Sequence, residues 1–182
     1  MMIRNAFVVG AVLVLGLMGQ AAGQPADEYA VNVREALETI AVFKRVDPGV
    51  VRFFDTAPGY AVFSTVVKGG AGLGGAGGSG VLFEGGKATG TASLAQGTIG
   101  LQLGGQTFSE VIFFETAAAL SDFKKGTFAL AAQASAVAGG AGTAATANYQ
   151  RGVAVVTMPK GGLMCEASVG GQKFHFKPAG KP

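Results

Sequence analysis

Apolar residues recur along this chain at two different periods, and the change from one to the other falls near residue 58. Over residues 27–46, Tyr29, Val33, Leu37, Ile40 and Phe43 return every three or four positions, the spacing of one helix face. Asp27 and Glu28 open that segment and Lys44 and Arg45 close it, which suits a helix dipole at both ends. Asp47 precedes a proline and so ends the helix. It is also placed to cap a second, shorter one, with Pro48 at its first position and Val51, Phe53 and Phe54 following.

Pro58 and Gly59 predict a turn, and beyond it the period becomes two. Residues 60–67 read as a strand. Residues 110–115 carry Val111, Ile112, Phe113 and Phe114 without interruption, the mark of a buried strand. A helix comes next, with Thr116 as its cap, Ala118, Ala119, Leu120 and Phe123 in its body, and Gly126 as its stop behind Lys124 and Lys125. Residues 153–157, 167–169 and 172–177 are expected as further strands. In the last, Phe174 and Phe176 alternate with Lys173, His175 and Lys177.

Glycine shapes the segments between. The chain holds 31 glycines, far above the average usage of about 7%, and they crowd the stretch from Gly69 to Gly105 without a collagen period. A weak repeat runs through them, in which a basic or amide residue followed by glycine, at Lys68, Gln96, Lys125 and Lys160, precedes an alternating apolar segment. Each instance is expected to be a turn entering a strand, with neighbouring glycine pairs, Gly139-Gly140 among them, permitting bulges and sharp coiling. The expected fold is α+β and mostly β: a curved, antiparallel, glycine-rich sheet or barrel-like core, with N-terminal amphipathic helices and one further short helix.

A chain of 182 residues suits one domain. Residues 1–23 read as a secretory signal, with Arg4 before a short apolar run and the small residues Ala21 and Gly23 spaced for cleavage. The mature chain, residues 24–182, is then expected in the periplasm or at the periphery of the outer membrane. Cys165 lies far from the signal end, so a lipoprotein anchor is not expected. Without Arg4, 13 basic residues stand against 11 acidic ones, a balance of +2, too mild for a nucleic-acid surface.

The run Gly72-Leu73-Gly74-Gly75-Ala76-Gly77 has the spacing of a dinucleotide fingerprint. A strand rather than a helix is expected after it, so no nucleotide partner is inferred. His175 is the only histidine and Cys165 the only cysteine, which leaves no metal cage, and no cofactor is implied. A Cys165–His175 nucleophile and base pair is conceivable. A core cysteine and a solvent-facing histidine are the simpler interpretation, and no catalytic residue is assigned.

The segment Gly59-Tyr60-Ala61-Val62-Phe63-Ser64-Thr65-Val66-Val67-Lys68-Gly69-Gly70 resembles the SYLF domain family, and several later blocks continue the likeness in order: Gly78-Ser79-Gly80-Val81, Gly100 to Gln106, Phe128-Ala129-Leu130, Lys160-Gly161-Gly162-Leu163 and Glu166 to Gly170. The resemblance implies a lipid-binding module: eukaryotic members bind phosphoinositides, some yeast members bind actin filaments, and secreted bacterial members are associated with phospholipid. An exported chain meets neither actin nor much phosphoinositide, so non-enzymatic binding of anionic phospholipid at a membrane surface is the expected function. The expected lipid-binding residues are Lys44, Arg45, Arg52 and Lys68 for headgroup attraction, with Phe53 and Phe54 inserting shallowly. The alternative is a structural or interaction component of the cell envelope that binds a protein through a sheet edge.

Overall fold

The computed structural model describes residues 26–126, 129–131, 135–137 and 148–180. The expected signal segment, Phe128 and the Gly139-Gly140 pair lie outside them. Helix α1 spans Ala26–Val46, within a residue of the expected start. Its buried line runs through Ala36, Ile40 and Phe43, with Val33 half-buried beside them, and the helix packs against the sheet. Leu37 does not share that face: it is 52% exposed, because the contact is centred on Ala36, whose small side chain lets the helix approach closely. Asp47 accepts a hydrogen bond from the Gly49 N–H at 3.0 Å and caps a 3₁₀ turn, Pro48–Val50. Helix α2, Val51–Thr56, continues directly from it.

Three long strands form most of the sheet: β1 (Gly59–Glu84), β2 (Lys87–Phe114) and β5 (Val153–Pro178), each 26 to 28 residues long. Strands of 3–10 residues are usual. Gly85 and Gly86, both with positive φ, form the two-residue hairpin that joins β1 to β2. Among the described residues the order is β1-β2-β5-β3, with β3 at Ala129–Ala131. The short β4 (Ser135–Val137) pairs parallel with β5, and every other pairing between these strands is antiparallel. The mostly-β α+β architecture is therefore as expected, but its punctuation is not. Lys68-Gly69, Gln96-Gly97 and Lys160-Gly161 lie inside strands, and residues 167–169 and 172–177 belong to one strand. Only Lys125-Gly126 is a turn, at the end of helix α3 (Ala117–Lys124).

The glycines allow the long strands to fold over rather than break. A Cβ on Gly78 would lie 2.7 Å from the Thr65 carbonyl oxygen, and one on Gly80 2.5 Å from that of Val62. The two ends of β1 thus press backbone to backbone, an approach open only where no side chain intervenes. Inside the curl lies one core, built on Ala61, Phe63, Leu82, Leu94, Ile112, Phe114 and Phe174 and closed by Leu120 and Phe123 of α3. On the outer face lies a second, where α1 and α2 cover Val62, Val81, Phe83, Val111, Phe113 and Val156. Residues 111–114 read as a continuous apolar run because both faces of β2 are covered there.

Candidate functional site

The corner where α1 meets α2 gathers cations over aromatic rings. Phe53 is buried and stacks on Phe113, ring centres 5.2 Å apart, with Tyr149 edge-on at 5.4 Å. Phe54 is half-buried and meets Tyr60 and Phe113 edge-on at 5.0 and 4.8 Å. These contacts fix the helical turn against the sheet. They also bring two charges together: Lys44 Nζ lies 4.9 Å from the Phe54 ring centre, and the Arg52 guanidinium 4.7 Å from that of Phe53. Lys44, Arg45 and Arg52 all face solvent, with Asp55 the exposed acidic residue of α2.

This arrangement corrects the role expected of the two phenylalanines. Phe53 is a core side chain, and Phe54 is held between Tyr60, Phe113 and the Lys44 ammonium, so neither ring enters a bilayer without unpacking the outer core. Each ring instead carries a cation over its face, Arg52 on Phe53 and Lys44 on Phe54.

Lys68 does not join the corner. It sits mid-β1 on the inner side of the curl, only 8% exposed, where it acts electrostatically on Glu110. Glu110, 2% exposed, accepts a hydrogen bond on Oε2 from Gln172 Nε2 at 3.1 Å. Burial pushes the Glu110 carboxyl up to about 7, against the opposing pull of Gln172 and Lys68. Among the described residues, Glu110 Oε1 and Gln172 Oε1 accept no hydrogen bond. A buried lysine of this kind offers little to a headgroup at the surface.

Four aliphatic side chains that sequence reasoning does not single out stand exposed in the glycine-rich middle of the hairpin. Val67 is 58% exposed, Leu73 69%, Ile99 70% and Leu103 71%. The register pairs Leu73 with Ile99 and Ala71 with Leu103. Val67 lies between the buried Val66 and Lys68, and Ile99 follows the buried Thr98, so the four belong to the outer face of the curl. Twofold alternation is the signal that marks them, and the turn-like chemistry of Lys68-Gly69 and Gln96-Gly97 interrupts it.

The Cys165 and His175 pair does not assemble as cross-strand neighbours. Both lie on β5, Cys165 opposite Leu103 and the exposed His175 opposite Ser93. Among the described residues no three His, Cys, Asp or Glu side chains are grouped to hold a metal ion, and no helix is long and apolar enough to cross a membrane. A depression of about 150 Å³ between α1 and β1, lined by Asn32, Glu35, Ser64, Thr65 and Ser79, is too small for most organic ligands. The glycine run 72–77 lies within β1, with no helix starting in it to receive a pyrophosphate.

Fold and surface together define a small, mostly-β α+β domain whose distinctive chemistry is a cationic corner and an exposed aliphatic strip. Residues 95–178, from the middle of β2 to the end of β5, match the family described as Ysc84, Las17-binding protein actin regulator, a match consistent with the SYLF domain resemblance. That family is one of binding domains. No curated protein matches the chain.

Proposed function

We propose that this protein binds anionic phospholipid at a membrane surface without catalysing a reaction. The reading is carried by Lys44, Arg45 and Arg52, three solvent-facing cations presented together on a corner that Phe53 and Phe54 lock to the outer core. Each basic residue near an anionic surface contributes about 1 kcal/mol, so three on a rigid mount make a useful electrostatic contact without a deep pocket. Export through the segment 1–23 would place this activity in the periplasm or at the inner face of the outer membrane.

The test is co-sedimentation of the mature chain with vesicles of phosphatidylglycerol and phosphatidylcholine, against phosphatidylcholine alone. Binding that requires the anionic lipid and weakens with salt is the expected result. Binding to neither vesicle rejects the proposal. A second reading, docking of a protein partner, draws on β1, an edge strand in the described sheet order with one neighbour, β2. It gains weight if β1 pairs with a peptide strand while vesicles are ignored.

A further inference from the structure

Resting on that lipid reading, we infer that the outer face of the bend, through Val67, Leu73, Ile99 and Leu103, is a second membrane contact that enters the acyl region beneath the headgroups. Four large aliphatic side chains, each more than half exposed, along one side of a single hairpin are not the scattered apolar surface of an ordinary soluble domain. Leu73 and Ile99 are direct cross-strand partners, and Leu103 lies opposite Ala71, so Leu73, Ile99 and Leu103 gather where the register of β1 and β2 shifts.

The surroundings indicate what covers them. Residues 66–83 of β1 and 88–109 of β2 contain no Asp or Glu; the nearest carboxylates come from other elements, Glu166 of β5 opposite Gln102 and Glu35 of α1 beside Thr65. The rim carries Lys160, whose Nζ donates to Thr65 Oγ1 at 3.0 Å, two residues from Val67. The interleaved glycines leave this aliphatic group projecting above a surface of small residues, and fluid acyl chains fill in around such a shape. The four include no Trp, Tyr or Arg, the side chains that dominate protein–protein hot spots. The strip also differs chemically from the cationic corner: one responds to charge and salt, the other to acyl depth.

The chain has no tryptophan, so a single introduced indole reports its own depth. Leu73→Trp and Ile99→Trp variants, with Lys87→Trp at the hairpin turn as control, are mixed with phosphatidylglycerol vesicles carrying brominated acyl chains, and pelleting is scored in the same samples. A blue shift and quenching at positions 73 and 99, but not 87, is expected. The paired Leu73→Ser, Ile99→Ser variant, its fold checked by circular dichroism, should bind on the order of tenfold more weakly for each aliphatic group withdrawn. Pelleting with an unshifted, unquenched indole at 73 and 99 overturns this inference and leaves the lipid reading intact. Failure of the unaltered protein to pellet with any vesicle defeats the lipid reading itself, and this inference with it. A blue shift that tracks protein concentration in the absence of vesicles assigns the face to a second copy of the chain and overturns the inference.

Discussion

At the scale of single residues, the chain's chemistry is decided by what has no side chain and by what is buried with charge. Gly80 is a point of backbone contact between the two ends of β1. A Gly80→Ala substitution should cost about 3 kcal/mol, because the added methyl meets the Val62 carbonyl and the Phe63 ring, and a backbone oxygen cannot swing away. Gly97, with nothing within 4 Å of an added Cβ, is the control: Gly97→Ala should change stability by less than about 1 kcal/mol. Urea unfolding of the two variants separates contact glycines from merely permissive ones.

Glu110 provides a second prediction at this scale. Its folded carboxyl titrates near 7, above the ordinary carboxylate value, so between about 4.5 and 7 the folded state holds a proton that the unfolded state has lost. Stability should therefore fall as pH rises through that window and level off above it, by an amount on the order of 3 kcal/mol. A Glu110→Gln variant retains an acceptor for Gln172 and should flatten the slope. Thermal melts at pH 5 and pH 8 decide the matter: an unchanged slope in the variant would remove Glu110 as its source.

At the scale of elements, the features legible in the sequence are local and the illegible ones are long-range. Helix α1 and the Thr116 cap of α3, whose Oγ1 accepts from the Ala119 N–H at 3.2 Å, are written in a few neighbouring residues. So is the Asp47 cap. The continuity of β1, β2 and β5 is not local. Lys68-Gly69 has the chemistry of a turn, and it stays extended only because Gln106-Gly105 pairs with it across the sheet. The face of α2 is likewise undecidable from Phe53-Phe54 alone, since a membrane-facing pair and a core-facing pair have the same spacing. Tertiary packing settles it. Phe53→Ala should lower stability by about 3 kcal/mol or more and loosen the cationic corner, read as a drop in melting temperature and weaker vesicle binding together. Loss of binding with an unchanged melting temperature would restore an insertion role for that ring.

At the scale of the whole molecule, the cationic corner and the aliphatic strip should respond to different variables. Exposed charges are screened over about 10 Å at 0.1 M salt, whereas apolar burial is not weakened by screening. Replacing Lys44, Arg45 and Arg52 together by Gln should flatten the salt dependence of vesicle binding and weaken it by up to about a hundredfold at low salt, at about 1 kcal/mol per residue. Serine at positions 73 and 99 should weaken binding while leaving the salt dependence produced by the corner in place. A triple Gln variant that binds with the same salt dependence as the unaltered chain would show that other cations carry the contact.

Hydrogen–deuterium exchange of the mature chain, with and without phosphatidylglycerol vesicles, tests the two-part membrane contact most directly. Slower exchange is predicted in peptides covering residues 44–56, 67–73 and 99–103, with no change in α3 or in residues 153–158. Exchange that is unchanged throughout, or slowed only along residues 59–66 of the β1 edge, would contradict it.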